Sequence, residues 1–163
     1  MVLCYLLYPV PRFTSSGKRN RDALITDDEI YEMLVHKLPA GVTLNIVMDC
    51  CHSGTACDLP WGWDGSGVWE KAAAEKSAVA GTVVCFSGCA DDEESVSTTQ
   101  GSTDGQKRGA MTTALIVAVS AGESTYEGMY SRIEQEIKGY SNVTQHPYLT
   151  CSRQLLMTTT FAL

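Results

Sequence analysis

Positive charge is in deficit over this 163-residue sequence as a whole: 12 Lys and Arg stand against 19 Asp and Glu, for a net charge of -7. Nucleic acid and anionic membrane surfaces are bound by basic patches that displace counterions, so that balance argues against both partners and favours cationic ones. Long apolar runs are also missing. Met1 to Tyr8 is apolar, but Pro9 and Pro11 end it far short of the roughly 20 residues a membrane helix needs, and it has neither a basic start nor a small-residue cleavage site. It reads as a buried strand or the truncated edge of something larger. There is no C-x-x-C spacing to suggest zinc, and the seven cysteines form no disulfide pattern of a small secreted domain, so free thiols in the reducing cytoplasm are expected. Histidine is scarce, with only His36, His52 and His146 to act as a base or ligand.

What is present is a chain of ordinary globular composition, 44% hydrophobic, long enough for one domain with a real core. Residues 12–25 read as a polar, exposed loop. Thr26-Asp27-Asp28-Glu29 has the form of a capping box, and Ile30, Met33, Leu34, Lys37 and Leu38 share a helical face, which predicts a helix over 27–38 stopped by Pro39. Residues 42–49 predict a strand with Val42, Leu44, Ile46 and Met48 on one face and Val47 on the other. Residues 50–70 read as irregular, the Ala-rich stretch 71–80 as a short helix, 82–86 as a second buried strand, and 89–108 as a mobile loop. A buried helix over 110–120, an amphipathic one carrying Tyr126, Met129, Tyr130, Ile133 and Ile137, and late strands near Tyr148 and over 155–161 complete the pattern. Strands alternating with helices predict an α/β sheet.

The chemistry concentrates at Asp49-Cys50-Cys51-His52-Ser53-Gly54, directly after the first strand, where open α/β sheets place their sites. On residues alone, a cysteine at a strand end is more often a small buried hydrophobe than a nucleophile. A metal site from Cys50, Cys51, His52 and Cys57 is a further alternative, although adjacent cysteines diverge along an extended chain. An aspartate in the place of Asp49 ordinarily caps a turn.

The run Asn45 to Gly54 followed by Asp58-Leu59-Pro60 resembles the signature of metacaspases, a family of caspase-like cysteine endopeptidases. The resemblance extends upstream to Ile25-Thr26-Asp27-Asp28-Glu29 and Leu38-Pro39-Ala40-Gly41-Val42, and downstream to Ser87-Gly88-Cys89-Ala90-Asp91-Asp92, Gly109-Ala110-Met111-Thr112 and Pro147-Tyr148-Leu149-Thr150-Cys151-Ser152. It implies a caspase-like three-layer sandwich: a central, mostly parallel sheet with helices on both faces, N-terminally truncated. It divides the single domain, 1–163, into the end of a large-subunit-like part (1–70), a linker (71–80) and a small-subunit-like part (81–163). Cys51 takes the role of nucleophile and Asp49 that of the carboxylate that receives an Arg or Lys of a protein substrate before the scissile bond.

The family's catalytic histidine stands in a His-Gly motif N-terminal to everything matched here, and this sequence has no such motif. His52 is a poor substitute, since neighbouring side chains in an extended segment point apart. Loss of a positioned base is worth about 10²–10⁴ in rate, so weak activity or none is expected of the isolated chain, unless a second chain supplies the histidine. A catalytically dead regulatory or binding protein is the rival reading. The resemblance also implies calcium, with Asp27, Asp28 and Asp58 as ligands. Pro11 stands where a further carboxylate is expected, so binding should be weak. Asp27 and Asp28 equally suit a first helical turn, where acids offset the macrodipole. Lys71 and Lys76 are candidate self-processing sites, against the plain reading of solvated lysines.

Overall fold

The computed structural model describes residues 25–49, 54–73, 76, 78–88, 97–98, 108–141 and 143–161. The chain enters through the capping box expected from sequence: Thr26 Oγ1 accepts from Glu29 N at 3.2 Å, and Glu29 Oε2 accepts from Thr26 N at 2.8 Å. This starts α1 (Asp27–Ile30), which widens into a π-helical turn over Tyr31–Val35 closed by His36 N donating to Tyr31 O. The helix therefore stops a turn before Leu38, and the face it buries is Ile30, Tyr31 and Val35, while Met33 and Leu34, expected on the inner face, are exposed.

Among the described residues seven strands follow: β1 (Thr43–Met48), β2 (Trp61–Trp63), β3 (Glu70–Lys71), β4 (Thr82–Ser87), β5 (Ser97–Thr98), β6 (Arg108–Gly109) and β7 (Tyr148–Cys151). Two helices, α2 (Ala110–Ser120) and α3 (Tyr126–Gly139), lie between β6 and β7. The main sheet has the order β1-β4-β7-β2-β3, and β5 pairs with β6 apart from it. β1 and β4 run parallel, with Thr43 opposite Thr82 and Met48 opposite Ser87.

The period-2 alternation of β4 divides the core. Val83 and Cys85 pack with Ile30, Tyr31, Val35, Met48 and Leu59 on the α1 side. Val84 and Phe86 pack with Met111, Ala114, Met129 and Ile133 from α2 and α3. Leu44, Ile46 and Met48 join the α1 cluster, as the strand pattern predicts, whereas Val42 precedes the strand and is exposed, and Val47, apolar on the other face, is 40% exposed instead of buried.

Four further expectations are corrected. The sheet is mixed and not mostly parallel: among the described residues only β1 and β4 are parallel, and the pairs β4–β7, β7–β2 and β2–β3 are antiparallel. The six residues between β2 and β3 can join antiparallel neighbours, whereas a parallel pair needs a crossover of a dozen residues or more. Trp61-Gly62-Trp63 is strand and not irregular chain; any side chain at Gly62 would collide with the Tyr148 ring that covers it.

The Ala-rich stretch is not a helix in its described part. It begins as β3, and long-range contacts outweigh the marginal helicity of ten residues in isolation: Ala72 N donates to Pro60 O, and Gly81 N to Leu38 O. Residues 155–161 form turns and a single bridge, Thr125 to Thr160, in place of a strand. Their carbonyls are used otherwise, Thr159 O accepting from Tyr126 N and Met157 O from Glu127 N, which satisfies the first turn of α3. The expected mobile loop 89–108 lies mostly outside the described residues.

Candidate active site

Because β1 and β4 are parallel and in register, their carboxyl ends open on the same edge of the sheet. Met48 O accepts from Gly88 N at 2.9 Å, and Gly88 O accepts from the buried Gln145 Nε2 at 2.8 Å, which draws the loop before β7 to this edge. Asp49, half-buried, leaves the end of β1, and its Oδ2 accepts the amide of Thr112 at 2.9 Å. Thr112 is the third residue of α2, whose N-cap, Gly109, has no side chain to satisfy the first-turn amides. The cap is therefore supplied from β1. Any Cβ at Gly109 would run into the Asp49 carboxylate, so glycine is required for this approach. Cys51, together with Cys50, His52 and Ser53, lies outside the described residues.

The other two histidines are on the surface. His36 stacks on Tyr31 with ring centres 6.0 Å apart, and His146 is exposed beside Gln145. Cys57, Cys85 and Cys151 are buried. Burial pushes Cys151 up to about 11, so it stays protonated and unreactive at neutral pH.

The three aspartates expected as calcium ligands are on the α1 face. Asp27 is buried, and its Oδ1 accepts the amide of Asp28 at 3.0 Å. Asp58 ends the turn Gly54–Cys57 at φ 49°, a left-handed conformation that aspartate tolerates better than most residues. Asp28 and Asp58 are brought together, but by Lys76: its Nζ lies 2.6 Å from Asp28 Oδ1 and 2.6 Å from Asp58 Oδ2. Among the described residues, no three His, Cys, Asp or Glu side chains gather as a metal site.

Burial opposes the charge of Lys76, yet its bonds to the two carboxylates prevail and raise its pKa, while hydrogen bonding to Lys76 lowers that of Asp28. The contact thus stabilises the fold between the ordinary values of 3.8 and 10.5. It is lost as pH falls through the depressed Asp28 value or rises through the elevated Lys76 value. Sequence reasoning missed this role for Lys76, because a partner 48 residues away leaves no local pattern.

A family model described as "Metacaspase, peptidase C14 domain" matches residues 16–60, the segment that runs from α1 through β1 to the turn before β2. Metacaspase-1 of Arabidopsis thaliana is 36% identical over 129 residues, covering 73% of this chain and 35% of the relative. Metacaspase-2 of the same plant is 37% identical over 140 residues, covering 80% and 32%. A trypanosomal relative, "Inactive metacaspase-4" of Trypanosoma brucei brucei, is 34% identical over 151 residues, covering 85% and 42%. The chain spans about a third to two-fifths of the length of these curated relatives. Among the described residues, no helix is long and apolar enough to cross a membrane. Similarity to both plant and trypanosomal relatives runs through most of the chain, well past the residues around Cys51, and on that ground the chain belongs to the metacaspase family.

Proposed function

We propose that this chain is the nucleophile-bearing part of a cysteine endopeptidase that hydrolyses peptide bonds after Arg or Lys, working in the reducing cytoplasm. The observation that carries this reading is the position of Asp49 at the carboxyl end of a parallel strand pair, tied to the N-terminus of α2, with Cys51 two residues further on. In the proposed reaction the Cys51 thiolate attacks the scissile carbonyl and the amine leaves with a proton. Water then hydrolyses the thioester and restores the thiol. The base that takes and returns the proton is a histidine from outside these residues, on an upstream segment or a second chain, so the isolated chain is weak. Asp49 meets the substrate cation by a charge-assisted hydrogen bond.

The remaining features of the reading are a caspase-like three-layer sandwich for the whole domain, residues 71–80 as the linker between its two subunit-like parts, and weak calcium binding at Asp27, Asp28 and Asp58. A second reading, a catalytically dead regulator, is favoured by one observation: the Asp49 carboxylate already holds Thr112 N.

The test is covalent labelling by a peptidyl-arginine fluoromethyl ketone, with and without a second chain bearing the upstream strands and a His-Gly motif. Labelling should rise on complementation, vanish in Cys51→Ala and persist in Cys50→Ala. Labelling of Cys51 no faster than free cysteine in the complemented protein would establish the regulator instead.

A further inference from the structure

Lys76 joins three parts of the chain at one point. Its ammonium contacts Asp28 in the first turn of α1, Asp58 after the turn that precedes β2, and the face of the Tyr31 ring, whose centre is 4.7 Å away. Asp58 and Lys76 are both partly buried, their side chains 18% and 31% exposed, so solvent does not fully screen the contact. Leu59 and Tyr31 at the same spot belong to the core under α1, so the contact fixes a helix to the body of the sheet.

The chemistry of this cage selects an ammonium over a metal. Calcium takes six to eight oxygens at about 2.3–2.6 Å. Here two sides of the cation are carboxylate oxygens and another is an aromatic face, which attracts an organic cation and offers calcium no ligand. Nζ also stands at metal-ligand distance from both oxygens, so an ion bridging the same pair would have to occupy the position of Nζ itself.

We propose that Lys76 is a built-in cation that replaces calcium at the Asp28–Asp58 pair, cross-linking α1 to the β2 turn without metal and admitting calcium only when it swings out. The inference is independent of the peptidase reading, because it concerns folding and cation binding alone. The apparent affinity for calcium is reduced by the small fraction of molecules with Lys76 displaced. Removing the ammonium takes away the cation that the two carboxylates share, which both destabilises the junction and opens it to a divalent ion.

The experiment is thermal unfolding of the full chain in millimolar CaCl₂, with MgCl₂ at equal ionic strength as control, for the wild type, Lys76→Met, Lys76→Arg and Lys76→Met/Asp58→Asn. Wild type and Lys76→Arg should show no calcium-specific shift. Lys76→Met should melt about 2–4 °C lower and recover in calcium but not magnesium, and the double variant should not recover. If Lys76→Met is unfolded without calcium, refolding by calcium, read by circular dichroism, supports the proposal and failure to refold overturns it. It is equally overturned if calcium raises the wild type as much as Lys76→Met, or if Lys76→Met melts like the wild type and ignores calcium.

Discussion

Asp49 has two uses for one carboxylate. Its Oδ2 caps α2 through Thr112 N, and the proposed reaction needs its charge for a substrate guanidinium. Substitution separates the two, because capping needs an acceptor oxygen and cation binding needs a charge. Asp49→Asn keeps an oxygen at the cap and should melt within about 1 °C of the wild type, since a cap is worth about 1 kcal/mol and 2–4 °C only when the acceptor is lost. Asp49→Ala should show that full drop. With the complementing chain present, both variants should lose kcat/KM on arginyl substrates by about tenfold or more, the equivalent of a charge-assisted hydrogen bond worth 1.5–3 kcal/mol. An Asn variant that melts as low as Ala would show that the charge itself, acting on the helix dipole, supports α2. Equal turnover of basic and neutral substrates by the wild type would remove Asp49 from specificity. The candidate role of Asp49 was legible beside Cys51 in the sequence. Its partner was not, because Thr112 lies 63 residues away and a backbone amide leaves no sequence signal.

At the scale of elements, the segment between β3 and β4 is held at its far end by Arg153, just past β7. One guanidinium nitrogen, Nη2, lies 3.0, 3.1 and 2.7 Å from the carbonyls of Val79, Ala80 and Gly81. Serine 152 adds to the junction, its amide donating to Val83 O and its Oγ accepting from Val83 N. Arg153→Met keeps the aliphatic stem and removes the donors, so it should cost about 1 kcal/mol, or 2–4 °C in Tm. Arg153→Lys, with a point charge in place of the planar fork, should recover part of that. No change in Tm for Arg153→Met would mean that water replaces the guanidinium at no cost.

This segment also shows where local reading fails. Elements with a strong period of their own, α3 with Tyr126, Met129, Ile133 and Ile137 inward and β4 with its run of apolar residues, form where the pattern puts them. The capping box did the same for the start of α1. The Ala-rich stretch and residues 155–161 do not, because their backbone groups are claimed by distant partners: the Arg153 fork for the first, the open amides of α3 for the second. The antiparallel course of β7 was equally hidden, since strand direction is decided by how the chain returns and not by alternation within the strand.

For the molecule as a whole, the order of the sheet decides what a cut in 71–80 would do. Strands up to Lys71 occupy both ends, β1 on one side and β2 with β3 on the other, while β4 and β7, from after residue 80, sit between them. Each part is thus hydrogen-bonded into the other along two separate seams, β1 with β4 and β2 with β7. The two staples fall on opposite sides of a cut after Lys76: Lys76 remains with Asp28 and Asp58 on the first fragment, and Arg153 remains with Val79, Ala80 and Gly81 on the second. Neither contact is spent by cleavage there. A cut after Lys71 differs, because it leaves Lys76 on the second fragment, where its contacts to Asp28 and Asp58 bind the two pieces together. Cleavage at a specific protease sequence inserted after Lys76 should therefore give fragments that elute as one species and unfold in one transition, separating only in denaturant. With the sequence inserted after Lys71, Lys76→Met should loosen the nicked pair measurably more than it does the pair cut after Lys76, read as a larger fall in Tm. Fragments that part without denaturant after either cut would mean that the interleaved strands do not hold the two parts together.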